Sequence, residues 1–152
     1  MKHRYSLLLW GFIVLLFVQC AKRGNPTGGP KDETPPVLLR ADPELNTTHF
    51  NEERIRLYFD EYVKLNKLKD QLIVSPPLDP AAYIISPQSS AAKYVQIELM
   101  DTLRPNTTYN FNFGQSIVDN NEGNPYPYFR YVFSTGDYVD SLQVRGTIGN
   151  AF

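Results

Sequence analysis

Apolar and polar positions alternate with a period of two through much of the chain. In "RIRLYFDEYV" (54–63), Ile55, Leu57 and Phe59 alternate with Arg54, Arg56, Tyr58 and Asp60. In "KYVQIELM" (93–100), Val95, Ile97 and Leu99 alternate with Tyr94, Gln96 and Glu98. "TYNFNFG" (108–114) sets Tyr109, Phe111 and Phe113 against Asn110 and Asn112, and "FRYVFST" (129–135) places Phe129, Tyr131 and Phe133 on one side. Successive side chains of a strand point to opposite faces, so this period predicts half-buried strands. Shorter candidates are "VLLRA" (37–41), "QLIVS" (71–75) and "AYIIS" (82–86). Only "NKLKDQL" (66–72) suits a helical turn. Asp42-Pro43, Ser75-Pro76-Pro77, Asp79-Pro80, Ser86-Pro87, Arg104-Pro105-Asn106 and Glu122-Gly123-Asn124-Pro125 separate the runs with turn chemistry. About seven short strands in about a hundred residues predict an all-β fold, an antiparallel β-sandwich. Its prolines fall at strand ends, where no ladder N–H is needed.

The first 36 residues break this pattern. Lys2, His3 and Arg4 precede an uncharged apolar run from Leu7 to Val18. Twelve residues at about 1.5 Å each fall well short of a hydrocarbon core of about 30 Å. A basic head followed by a short apolar run is the pattern of a secretory signal; an anchor that stays uncleaved is the alternative. The run ends at Cys20, the one cysteine of the chain. This resembles a bacterial lipoprotein signal, in which the Cys thiol is lipidated and becomes the mature N-terminus. Gln19 and Phe17 stand where that signal has a small residue and a Leu. The other reading of Cys20 is a free thiol, a liability in an oxidising compartment. From Gly24 to Pro36 there are four prolines and three glycines, too little apolar area to offset the entropy of ordering. The expected organisation is a signal peptide over 1–19, a Pro/Gly-rich tether over 20–36 and a sandwich over 37–140.

Composition narrows the function classes. Loss of Lys2 and Arg4 with the signal leaves 13 basic against 16 acidic residues, a net charge of −3, and no basic patch points to nucleic acid. A single Cys excludes an intrachain disulfide, so the core must hold the domain. Aromatics are abundant, ten Tyr and nine Phe, but the one Trp, Trp10, lies in the signal.

"DTLRPNTTYNFNFG" (101–114), with Leu103, Pro105, Thr107 and Tyr109, resembles the tyrosine corner of Ig-like and fibronectin-type sandwiches. There the Tyr hydroxyl bonds to backbone across the loop entering the next-to-last strand. The succession "RIRLYFDEYV", "LRPNTTYNF", "IVDNNEGNPY" and "YVFSTG" resembles the bacterial Ig-like family of the S-layer-protein type. With "CAKRGNPTGGPKDETPP" it looks like the N-terminal part of a lipoprotein family common in Bacteroidetes, over about residues 20–140. "SLQVRGTIGNAF" (141–152) looks like the first strand of a following β-domain cut short at Phe152. The resemblance implies an Ig-like sandwich anchored in the bacterial outer membrane through lipidated Cys20; Ala-Lys-Arg-Gly-Asn after Cys20 holds no acidic cluster like a surface-export signal, which favours the periplasmic face over the cell surface. Its implied role is structural or protein-interacting within the envelope. A glycan-binding module serving a catalytic domain outside this chain is the alternative.

Chemistry-bearing residues support no enzyme, cofactor or metal site. His49 is the one histidine left after Cys20, in the polar loop "NTTHF", where a zinc site or a catalytic triad has no partners. Asp60 and Glu61, read as a strand end, point to opposite faces and do not form a glycosidase pair. "DNNEGN" (119–124) invites a calcium reading, but Gly stands fifth and Arg130 occupies position twelve, unlike an EF-hand. Asn and Gly there are expected to accommodate positive φ angles. Tyr58, Tyr94, Tyr126 and Tyr128 are either cross-strand packing or a sugar-binding face, with Tyr126 and Tyr128 the candidate ligand surface. Asp101-Thr102-Leu103 and Asp140-Ser141-Leu142 resemble the O-glycosylation pattern of Bacteroidetes, which makes Thr102 and Ser141 candidate sites.

Overall fold

The computed structural model describes residues 29–140. The readings at the signal peptide, Cys20, most of the tether, Ser141 and the start of a second domain lie outside the described residues.

Eight strands are present among the described residues: β1 (Leu38–Asp42), β2 (Arg54–Leu65), β3 (Ile73–Ser75), β4 (Tyr83–Ser86), β5 (Ala92–Leu99), β6 (Thr108–Gly114), β7 (Ile117–Asp119) and β8 (Phe129–Ser134). A single helical turn, α1 (Leu68–Gln71), falls within "NKLKDQL", and a 3₁₀ turn spans Pro80–Ala82. One sheet has the order β1-β2-β5-β4 with β7 also paired to β2; the other has the order β3-β6-β8. All these pairings are antiparallel.

Two features depart from the alternation reading. β7 is a strand that the alternation does not mark: it has three residues, all buried, so it shows no period. The "FDE" segment is not a strand end. β2 runs on for twelve residues, because it changes partner. Along one edge it pairs with β1 from Arg56↔Asp42 to Phe59↔Leu38 and then with β7 at Val63↔Asp119, Lys64↔Val118 and Leu65↔Ile117; along the other it pairs with β5 from Arg54↔Glu98 to Tyr58↔Tyr94 and again at Val63↔Ala92. Between Tyr58 and Val63 the register with β5 shifts.

The alternating residues form the core as their period requires. Ile55, Leu57, Val63, Val95, Ile97, Tyr109, Phe111, Phe113, Tyr131 and Phe133 are fully buried and belong to one cluster. Phe133 lies at an aromatic centre, 4.1 Å from Phe50, 5.5 Å from Tyr109, 5.8 Å from Tyr131 and 6.3 Å from Phe111 between ring centroids. Full burial of such a side chain contributes about 1.5–3 kcal/mol. The outer edge of β8 would offer unpaired backbone to other chains. The loop before β2 covers it: Asn46 and Phe50 donate their N–H groups to the carbonyls of Val132 and Ser134, and Thr47 accepts from Ser134 N–H.

Candidate functional site

The polar groups predicted to carry a site are bonded mainly to backbone. Tyr109 is fully buried in β6, and its hydroxyl accepts the Arg104 N–H at 3.0 Å. Its ring stacks on Phe133, and Leu103 packs against the core while Pro105 is exposed. Thr107 Oγ1 donates to Pro105 O at 2.9 Å. The loop is closed by a residue the motif did not include. Thr135 Oγ1 donates to Arg104 O at 2.7 Å and accepts Thr107 N–H at 3.0 Å. Next to it, a Cβ on Gly136 would stand 3.0 Å from Asn106 Cα, so the chain crosses the loop where only glycine fits without a backbone shift.

Tyr131 is a second buried tyrosine tied to backbone. Its hydroxyl donates to Pro43 O at 2.9 Å, which fixes the turn after β1. Burial, aided by the nearby Asp42 carboxylate, pushes this phenol well above its ordinary range. The sequence placed Tyr131 on an inward face, but its hydroxyl partner lies 88 residues away and no local motif marks it.

The "DNNEGN" loop is organised by Asp119, which is buried at the end of β7. Asp119 Oδ1 accepts the N–H groups of Glu122 and Gly123 at 2.7 and 2.9 Å, and Oδ2 accepts that of Asn124 at 2.8 Å. Burial alone would raise this carboxyl. The N–H groups of Gly123, Asn124, Glu122 and Asn121 outweigh it and hold the acid below its ordinary range. Positive φ contributes less than expected: within the loop only Gly123 has it, at 82°. Among the described residues no three His, Cys, Asp or Glu side chains form a metal-binding group.

Asp60 and Glu61 do different things. Asp60 is exposed and its Oδ1 accepts the Val37 N–H at 2.8 Å. Glu61 is half-buried; desolvation first, then the charges of Asp119, Asp60, Asp32 and Glu122, raise its carboxyl above the ordinary range. His49 is exposed and 3.6 Å from the exposed Asp137.

The four tyrosines do not make one face. Tyr58 and Tyr94 are register partners on the outer side of β2 and β5, with centroids 6.0 Å apart, and the Arg40 guanidinium covers Tyr58 at 3.7 Å. Tyr126 and Tyr128, the expected ligand surface, differ in burial: Tyr126 is half-buried and Tyr128 exposed. Tyr126 turns inward against Phe59 and Phe129 at 5.7 and 5.5 Å, because its apolar ring caps the end of the core. Tyr128 is 74% exposed, at a φ of 49°. Thr102 is exposed in the loop after β5, its N–H bonded to Asp101 Oδ1.

An antiparallel two-sheet sandwich with a buried tyrosine clasping the loop into β6 defines a protein of the Ig-like class. The family model of the bacterial Ig-like domain matches residues 32–135, and the chain belongs to that family. A search of curated proteins returned no match.

Proposed function

We propose that this protein is a membrane-tethered, non-catalytic Ig-like module of the bacterial cell envelope, with a structural or protein-interaction role. The observation that carries the non-catalytic part is how the buried polar side chains are used. The Asp119 carboxylate and the Tyr109 and Tyr131 hydroxyls are each bonded to backbone, so none is held ready as an acid, base or nucleophile. The tethered part rests on Cys20, one residue beyond the apolar run and ahead of the Pro/Gly-rich segment. The finer reading is a lipid-anchored protein of the Bacteroidetes outer membrane, facing the periplasm, with envelope proteins as partners. Thr102 and Ser141 are proposed O-glycan acceptors. The scaffold reading is preferred to glycan binding because the proposed tyrosine pair is split and Tyr58 is already covered by Arg40.

One acyl chain anchors only marginally, whereas two or more hold firmly. The parent is therefore expected to incorporate a fatty-acid analogue in cells and to fractionate with membranes. Cys20→Ser should lose both properties. A Cys20→Ser chain that still labels and stays in the membrane refutes the lipoprotein reading.

A further inference from the structure

We infer that residues 32–37 are a releasable latch, closed on the domain by Asn124 and Asp60, which sets how much chain separates the sandwich from its anchor. Asn124 has two roles. Its backbone N–H is held by Asp119, while its side-chain Nδ2 donates to Asp32 O at 3.0 Å and Thr34 O at 3.4 Å. Asp32 Oδ1 accepts the Thr34 N–H at 2.9 Å, and this turn presents both carbonyls to the same amide. Three residues on, Val37 and Asp60 bond twice: Val37 N–H to Asp60 Oδ1 at 2.8 Å, and Asp60 N–H to Val37 O at 3.1 Å. Pro36, between the two fastenings, is buried.

The position follows from β2. Between the end of its pairing with β1 at Phe59 and the start of its pairing with β7 at Val63, the Asp60 N–H takes the Val37 carbonyl as its acceptor. The latch stands in for the missing strand partner. The family match also begins at Asp32, so the domain's contacts start five residues before the boundary expected at 37.

The same geometry makes the closure weak. Residues 32–35 are exposed, and segments with few buried contacts open well below the global unfolding free energy. Hydrogen bonding to Thr34 lowers the Asp32 carboxyl, and the nearby Asp119 carboxylate works against it.

The consequence for reach rests on the proposed anchor at Cys20; the docking does not. Closed, residues 21–31 separate anchor and domain; open, residues 21–36 do. Fully extended, those eleven and sixteen residues span at most about 38 and 56 Å.

The test uses the full chain carrying Cys20→Ser, with spin labels at Glu33→Cys and at Glu52→Cys in the exposed loop before β2. A single narrow distance is expected, and Asn124→Ala should abolish it. That substitution keeps the backbone N–H bonded to Asp119, so the domain should still melt cooperatively, its melting temperature lowered by no more than removal of the latch lowers it. Asp60→Ala, which removes the Val37 acceptor, should also abolish the narrow distance. Hydrogen exchange should open the Val37 amide faster than the Val95 and Ile97 amides of the core. A broad distance in the parent, a narrow one surviving in Asn124→Ala, or Val37 exchanging only with the core overturns the latch. Because Cys20 is already replaced, these results are independent of lipidation, and the labelling experiment on Cys20 fails or succeeds separately.

Discussion

Asp119 and Glu61 lie at nearby positions of β7 and β2 and have opposite effects on stability. The folded state lowers the Asp119 carboxyl by donating backbone N–H groups to it. Its contribution is therefore present above the unfolded value near 3.8 and is lost as pH falls through the lower folded value. The folded state raises the Glu61 carboxyl through desolvation and neighbouring carboxylates. Glu61 thus favours folding below its unfolded value near 4.5, and that advantage is lost as pH rises through the higher folded value. Asp119→Asn offers an N–H₂ group where a backbone N–H needs an acceptor, and should cost about 1–3 kcal/mol at pH 7. Glu61→Gln should stabilise, by up to about 1 kcal/mol given its partial exposure. Urea melts from pH 3 to pH 8 check both. The Asp119→Asn deficit should shrink below about pH 4 and the Glu61→Gln gain should vanish there. Melts in which both differences are flat with pH would show that neither carboxyl has the role assigned.

At the scale of elements, the tyrosine corner joins β6 to the loop that follows β5. Tyr109→Phe keeps the ring on Phe133 and removes only the acceptor of Arg104 N–H, so the expected loss is about 1–2 kcal/mol. Tyr109→Ala adds a cavity beside Phe133 and should cost about 3–5 kcal/mol. A Tyr109→Phe variant as stable as the parent in urea melts would mean the hydroxyl contributes nothing. This corner was legible because its residues lie within one short stretch of sequence. So were the long strands, whose period is written in Ile55, Leu57 and Phe59 or Val95, Ile97 and Leu99. What stayed hidden depends on distant pairing. β7 is buried on both sides and shows no period. Its partner is the half of β2 that looked like a strand's end, since Asp60 and Glu61 interrupt the apolar alternation while the strand runs on to Leu65. Thr135 closes the corner from 31 residues beyond Arg104. Tyr126 resembles any surface tyrosine until Phe59 and Phe129 are brought beside it by the fold.

For the whole molecule, composition starts the folding unit at Val37, and the proposed latch starts it at Asp32. Pro35 and Pro36 look like the end of a tether, because proline and charge together cannot build a core. Yet Pro36 is buried, and Asp32, Thr34 and Val37 carry hydrogen bonds to the domain. A domain of about a hundred residues has a net stability of only about 5–15 kcal/mol, so a few marginal contacts at its edge are measurable. Two fragments, 32–140 and 37–140, separate the alternatives. Both retain the aromatic cluster around Phe133 and both should unfold cooperatively in urea. The longer should be more stable by about 1–2 kcal/mol, from hydrogen bonds that are each modest in solvent and from the burial of Pro36. The urea slope should rise only slightly, since it follows the surface exposed on unfolding and the latch covers little of it. Adding Asn124→Ala to both fragments completes a cycle. If the latch acts through that amide, the substitution lowers the stability of 32–140 and leaves 37–140 nearly unchanged. Equal effects in the two fragments would place the contribution of Asn124 within its own loop, and identical stabilities of the parents would return the domain boundary to Val37.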